Sequence, residues 1–233
     1  MRALRVAFVT FALLVPLAAH AEEEGDAAAL ERVRAVAPLI LAAPTATKAL
    51  TGCPAARFGR RNNLVTRFGK WLAGGDDDAT SAAVCLAVPD ACWELCELGD
   101  GQACLDLARA FERFDDAFDP MHTQRLFALG CEMGIASGCT NRGASFRWGP
   151  ADGDPSSAML EADREACAFS LFETACREDD PWGCTMLGEA HQTGAGTAVD
   201  LAAARAAYAR SCAEAPDFVA CETGRRWAKA MDD

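Results

Sequence analysis

In the second part of the chain, small and aromatic residues recur at offsets of four and three, which is the spacing of one face of an α-helix. Each set starts at a cysteine, continues with a small residue and ends with an aromatic residue. The sets are Cys104, Ala108 and Phe111; Cys139, Gly143 and Phe146; and Cys184, Gly188 and His191. The small positions predict a neighbouring helix that approaches closely.

Each of these cysteines is the second of a pair that encloses seven residues, or eight in the last pair: Cys96 and Cys104, Cys131 and Cys139, Cys176 and Cys184, Cys212 and Cys221. Successive first cysteines lie 35, 45 and 36 residues apart. This period, with one insertion, is the length of a two-helix solenoid unit. The pattern predicts an all-α fold, a right-handed αα-solenoid of about four units, each a helix, a short turn and a helix.

The neighbours of the pairs repeat too. A large residue stands four positions before the first cysteine and a small residue directly before the second: Phe127, Phe172 and Tyr208; Ala103, Gly138, Gly183 and Ala220. A tight reversal between the helices would bring the paired Cα atoms to about 5.5 to 6 Å, the usual disulfide distance. Gly99 and Gly134 stand where a glycine commonly ends a helix. We therefore predict one disulfide in each pair.

Four cysteines lie outside these pairs: Cys53, Cys85, Cys92 and Cys167. They allow three pairings, and the sequence does not choose between them. The spacing of Cys85 and Cys92 permits a local bridge, which would leave Cys53 to reach Cys167.

Residues 79–98 read as a degenerate first unit, because Cys92 takes the place of the large residue and Pro89 suits the first turn of a helix. Cys92 and Cys96 are four residues apart, an arrangement that also suits metal ligation. Neither a nearby histidine nor a Cys-x2-Cys pair accompanies them, so no metal site is predicted.

The segment from Cys184 to Cys212 resembles the Sel-one-like repeat, a relative of the tetratricopeptide repeat. It carries, in order, Leu187, Gly188, His191, Gly194, Gly196, Asp200, Ala204 and Tyr208. With its cysteine pairs, the chain is similar over residues 86–233 to the secreted, cysteine-rich bacterial members of that family. Elsewhere Asp115-Asp-Ala-Phe-Asp replaces the Gly-x-Gly turn, and Arg142 replaces Leu187.

The resemblance implies a scaffold that binds a protein or peptide. Some cysteine-rich relatives carry a penicillin-binding or β-lactamase label, so β-lactam binding or weak hydrolysis of a β-lactam or cell-wall substrate is the alternative. No nucleophile motif supports that alternative. His191 occupies a core-type aromatic position, and His122 is the only other histidine beyond the first 21 residues. We predict no catalytic residue and no cofactor.

Residues 1–21 read as a cleavable signal peptide, since Arg2 and Arg5 precede an apolar run that ends at a small-residue site, with the cut after Ala21. The run is too short for a membrane span. The predicted order is signal peptide at 1–21, helical cap at 22–84 and solenoid at 85–233. Twelve cysteines fit an oxidising compartment, the periplasm or the exterior.

Within the cap, the Ala- and Leu-rich residues 27–42 predict a helix interrupted at Pro38, and residues 64–72 predict a second helix. Residues 57–71 place five cations among Phe58, Phe68 and Trp71. This segment suits either an acidic partner or a solvated helix face whose aromatic residues cap the first repeat, and we favour the second interpretation.

The chain without residues 1–21 has 20 basic and 34 acidic residues, a net charge of −14. This balance disfavours nucleic acid and anionic membrane surfaces as partners. The composition allows a buried core, and a monomer is predicted. Residues 149–157 form an insertion rich in turn formers, Gly-Pro-Ala-Asp-Gly-Asp-Pro-Ser-Ser, that lengthens one connection. Its two aspartates do not follow a calcium-loop spacing.

Overall fold

A computed structural model describes residues 11–59 and 82–231, which contain eleven α-helices and no strand. The helices are α1 (Phe11–Ala42), α2 (Pro44–Ala49), α3 (Ala82–Ala87), α4 (Pro89–Glu97), α5 (Gly101–Glu112), α6 (Met121–Glu132), α7 (Ala136–Trp148), α8 (Glu161–Arg177), α9 (Pro181–Thr193), α10 (Leu201–Glu214) and α11 (Val219–Lys229). Within these ranges, no helix combines the length and apolarity needed to cross a bilayer.

The helices from α4 onward form four antiparallel pairs, in which α4, α6, α8 and α10 are the first helices and α5, α7, α9 and α11 the second helices. Each helix packs against its neighbours in the chain, and α9 also packs against α7 and α11. This arrangement confirms the predicted all-α solenoid. Helix pairs closed by a disulfide across each turn also agree with the resemblance to the cysteine-rich Sel-one-like proteins.

The turn inside the first pair has a specific hydrogen-bonding pattern that explains the position of its cysteine. Gly99 has a φ of 101° and donates its N–H to the carbonyl of Cys96, and Asp100 donates to the carbonyl of Leu95. These two bonds form a Schellman motif, which satisfies the last carbonyls of α4. Gly134 repeats the motif after Cys131. The first cysteine is thereby fixed in the last helical turn.

In the third pair the same motif is made by an aspartate. Asp179 has a φ of 60°, and it donates its N–H to the carbonyl of Cys176 while Asp180 donates to that of Ala175. Aspartate is one of the few residues other than glycine that enter this backbone region with modest cost. The turn geometry is therefore retained where the glycine is missing.

The structure contains six disulfides, which use all twelve cysteines: Cys96–Cys104, Cys131–Cys139, Cys176–Cys184, Cys212–Cys221, Cys85–Cys92 and Cys53–Cys167. Across the four helix turns the Cα atoms are 4.3 to 4.8 Å apart. The expected 5.5 to 6 Å was therefore too long. The helices come closer because a small residue precedes each second cysteine; a Cβ on Gly183 would lie 2.5 Å from the Cβ of Ala175.

The small residue four positions after the second cysteine receives the aromatic residue of the next unit. A Cβ added to Gly143 would lie 2.7 Å from the ring of Phe172, and one added to Gly188 would lie 2.4 Å from the ring of Tyr208. Both rings are fully or almost fully buried. The close approach predicted from the sequence is thus a ring-on-glycine contact between units.

The N-terminal region does more than cover the end of the solenoid. Helix α1 packs on α3, α4 and α6, α2 packs on α6, and the 3-10 turn Pro54–Arg57 contacts α6 and α8. Cys53 then forms its disulfide with Cys167 of α8. The cap therefore runs along the first helices of three successive units.

The predicted interruption at Pro38 was wrong, since α1 continues through it to Ala42. Proline removes one backbone donor and crowds the carbonyl four residues earlier. Pro38 lies on the exposed side of α1, where water can solvate that carbonyl. The predicted helix at residues 64–72 lies outside the described residues.

Three arginines attach the cap to its surroundings, two through backbone carbonyls and one through a carboxylate. Arg32 donates to the carbonyl of Leu86 at 3.0 Å, and Arg125 donates to the carbonyls at the C-terminus of α1. Arg57 donates to the carbonyl of Ala49 at 3.0 Å and pairs with the buried Glu132 at 2.5 Å. Arg57 belongs to the basic and aromatic segment 57–71, of which only residues 57–59 are described, and it has a structural role there.

Candidate binding groove

A groove of about 690 Å³ runs across the second helices of the four units. Its lining combines aromatic, small polar and charged residues: Arg109, Ser137, Thr140, Asn141, Ala144, Trp148, Asp180, Pro181, Trp182, Met186, Phe218, Thr223, Arg226 and Trp227. They come from α5, α7, α9 and α11 and from the residues that directly precede α9 and α11. The cap lies on the first helices and so leaves this side uncovered by any described residue of α1 or α2.

The groove residues share one helix face, which can be located from the second cysteine of each pair. Counted from that cysteine, position +2 holds Asn141, Met186 and Thr223, and position +5 holds Arg109, Ala144 and Arg226. The core positions at 0, +4 and +7 lie on the opposite face of the same helix, because two residues turn a helix by about 200°. Each second helix is therefore held by its cysteine and small residue while its other face forms the groove.

Four aromatic residues line the groove. Trp148 ends α7 with 59% of its surface exposed, and Trp182 and Trp227 are partly exposed on α9 and α11. Phe218 is 45% exposed and meets the ring of Trp182 edge to face at 6.5 Å. Large amphipathic rings left exposed in a concavity are typical of a surface that binds a partner.

Asp180 lies in the middle of the groove and is already committed to the fold. It is the N-cap of α9, where its Oδ1 accepts hydrogen bonds from the Gly183 N–H at 2.6 Å and from the Thr140 hydroxyl at 2.8 Å. Burial raises the pKa of Asp180 above its ordinary value, although those two donors and the charge of Arg109 each act to lower it. This carboxylate therefore connects α7 to α9.

Two arginines provide the positive charge of the groove. Arg109 is half exposed and pairs with Asp106 of the same helix at 3.2 Å. Arg226 is exposed on α11 and forms no ion pair with any residue in 11–59 or 82–231. Glu189 holds the equivalent position +5 on α9, but its carboxylate pairs with Arg147 at 3.0 Å and does not line the groove.

The sequence-based candidates lie away from this groove. His122 is buried and stacks on Phe111, and His191 meets Phe169 edge to face. Both histidines have the packing environment expected for His191. Cys92 and Cys96 both have their sulfur in a disulfide, so neither offers a thiolate to a metal.

Sequence reasoning missed the groove because its residues do not recur as a type. Position +5, for example, holds an arginine, an alanine, a glutamate and an arginine in the four units. The sequence did contain one usable signal. The second cysteine marks the buried face of each second helix, so the residue two positions later lies on the face directed away from the first helices.

We compared the chain with known proteins. No model of a protein family matches the chain. No curated protein matches it. Among solved structures, the fold is similar to Helicobacter pylori cysteine rich protein B, with a TM-score of 0.42 and 18% sequence identity, over 62% of this chain and 98% of that protein.

Proposed function

We propose that this protein is an exported, non-catalytic repeat scaffold that binds a protein or peptide segment in the groove formed by its second helices. The observation that carries the proposal is the set of groove-lining tryptophans on three successive second helices, the exposed Trp148 and the partly exposed Trp182 and Trp227. Tryptophan is the residue most enriched among energetically dominant contacts of protein interfaces. Solenoids use such extended surfaces for binding other chains.

Export is supported by the cysteine chemistry. All twelve cysteines are paired, and disulfides of this number persist in oxidising compartments such as the periplasm or the exterior. We expect the mature protein to begin at Glu22, as N-terminal sequencing of the protein from an exported fraction would show. An N-terminus upstream of residue 20 in that fraction would contradict the cleavage.

The binding proposal is tested by site-specific photocrosslinking. A photoreactive phenylalanine analogue replaces Trp182 in the groove, and in the control it replaces Leu160, which is 73% exposed outside the groove. Partners crosslinked in the exported compartment should appear from position 182 only, and excess unmodified protein should compete them away. Trp182→Ala should abolish the competition.

Equal crosslinking from positions 182 and 160 would show that the groove is not the binding surface.

The enzymatic alternative is tested by a nitrocefin assay of the oxidised protein. Turnover above about 1 per second, near the low end for enzymes, would contradict a non-catalytic scaffold.

A further inference from the structure

We infer that the groove selects an extended acidic peptide, one whose Asp or Glu side chains flank aromatic or large apolar ones. The inference rests on the proposed function and specifies the chemistry of the partner.

The charge of the groove differs in sign from that of the chain. The whole sequence carries a net charge of −12, yet the charged groups among the described lining residues are two arginines and one aspartate. The aspartate, Asp180, is occupied by the Gly183 N–H and the Thr140 hydroxyl. Arg109 is likewise paired, with Asp106 at 3.2 Å, so the exposed Arg226 is the lining cation that can meet a carboxylate without breaking a described ion pair.

The hydrogen-bonding groups favour the same partner. Guanidinium groups and the indole N–H of tryptophan are donors without acceptor capacity. A ligand rich in acceptors, such as carboxylates and peptide carbonyls, meets these donors.

The dimensions set the length of the peptide. The tryptophans lie on α7, α9 and α11, and neighbouring packed helices are about 8 to 10 Å apart. Crossing these three helices therefore takes at least roughly 16 to 20 Å, because Trp148 ends α7 whereas Trp182 begins α9, and an extended chain needs about six residues or more at roughly 3.3 Å per residue. Arg109 on α5 acts electrostatically on Asp180 and so lies near that aspartate, whereas Arg226 directly precedes Trp227 on α11. We expect apolar side chains opposite the rings and an acidic side chain opposite Arg226.

The experiment selects octapeptides from an unbiased display library on the oxidised protein. Selected sequences should be enriched in Asp and Glu next to Trp, Phe or Leu. Calorimetry with the selected synthetic peptides should show that Arg226→Gln weakens binding about fivefold, the upper end for an exposed ion pair. Exchanging the acids of the peptide for Asn and Gln should weaken it similarly, as should 0.5 M salt.

The matched control is Arg225→Gln. Arg225 neighbours Arg226 on α11, is also exposed and does not line the groove, so this variant should bind as the parent does. The inference would be overturned if the selected peptides depend on Trp182 but are not enriched in acidic residues, and if Arg226→Gln and Arg225→Gln bind them with equal affinity. That result would leave the proposed function standing. If no selected peptide depends on Trp182, or if anionic oligosaccharides bind there instead, both fail.

Discussion

Arg142 is the largest of the fully buried side chains, and it lies where the best-matching repeat has Leu187. Its guanidinium makes a two-pronged ion pair with Asp154, in which the second contact measures 2.9 Å, and its charged end lies 4.5 Å from the ring centre of Phe146. Asp154 comes from the turn-rich insertion and also accepts from the N–H and hydroxyl of Ser156. A charge that replaces a core leucine thereby fixes the insertion to α7.

We expect Asp154→Asn to lower the free energy of unfolding by about 3 kcal/mol, because it leaves a buried guanidinium without its counter-charge. Urea unfolding measures this. Asp152→Asn in the same loop is the control, since Asp152 is exposed and should change stability by less than about 0.5 kcal/mol. Equal effects of the two substitutions would show that the ion pair contributes nothing specific.

The same pair predicts an acid dependence of stability. Burial alone would raise the pKa of Asp154, but the hydrogen bonds and charge of Arg142 outweigh it and hold that pKa below its ordinary value. A carboxyl with a lowered folded-state pKa stabilises the fold above its unfolded-state pKa of about 4, and this contribution is lost as the pH falls through the folded value. The free energy of unfolding, measured from about pH 5 down to about pH 2, should therefore fall more steeply for the parent than for Asp154→Asn. Parallel curves would contradict the assignment.

At the scale of the helical element, the unit is defined by how the second helix meets its neighbours. Its cysteine binds the preceding helix, and its glycine at +4 takes the aromatic ring of the next first helix, as Gly188 takes Tyr208. The hydroxyl of Tyr208 donates to Gln192 at 2.7 Å, so the ring is fixed at both its face and its end. Burial, with a smaller effect from Glu189, raises the pKa of Tyr208 well above its ordinary value, and the phenol stays protonated.

We expect Gly188→Ala to lower the free energy of unfolding by about 2 kcal/mol or more, since the added methyl group would lie 2.4 Å from a buried ring. Gly130→Ala is the control: it also replaces a glycine inside a helix, and its Cβ would meet no atom closer than 3.5 Å. That variant should stay within about 1 kcal/mol of the parent and can gain from the higher helix propensity of alanine. Thermal unfolding of both variants decides whether ring packing or helix propensity dominates.

For the molecule as a whole, the disulfides act on two length scales. Five of them join cysteines that are seven to nine residues apart in the sequence, whereas Cys53 and Cys167 are 114 residues apart. The long bridge joins the cap to α8 and so connects the N-terminal region to the third unit. In the chain-entropy model a bridge of that span contributes about 4 to 5 kcal/mol, against roughly 2.5 kcal/mol for a short one.

We therefore expect the double variant Cys53→Ser and Cys167→Ser to lose roughly twice as much stability as Cys212→Ser with Cys221→Ser. Urea unfolding of the two variants under oxidising conditions measures the difference. Non-reducing peptide mapping of the parent checks the six pairs first. A larger loss from the short bridge would mean that the local turn, rather than the constraint on the unfolded chain, determines the contribution of a disulfide here.

The sequence alone determined the features that depend on residues close together along the chain. The two cysteines of each helix-turn pair lie eight or nine residues apart, and the glycines and aromatic residues follow at helical offsets. One local pattern therefore predicts the helix pair, its turn and its small contact positions. The resemblance of the segment Cys184–Cys212 to a repeat family rests on the same pattern.

Only the tertiary structure decided the features assembled from distant segments. These features are the pairing of Cys53, Cys85, Cys92 and Cys167, the path of the cap along the first helices, and the burial of Asp154 against Arg142. The tertiary structure also brought together the groove, whose lining extends from Arg109 to Trp227 and repeats a position rather than a residue type. Packing between units requires the same small and aromatic residues in each unit, whereas a binding face requires different ones. The core could therefore be predicted from the sequence, and the groove could not.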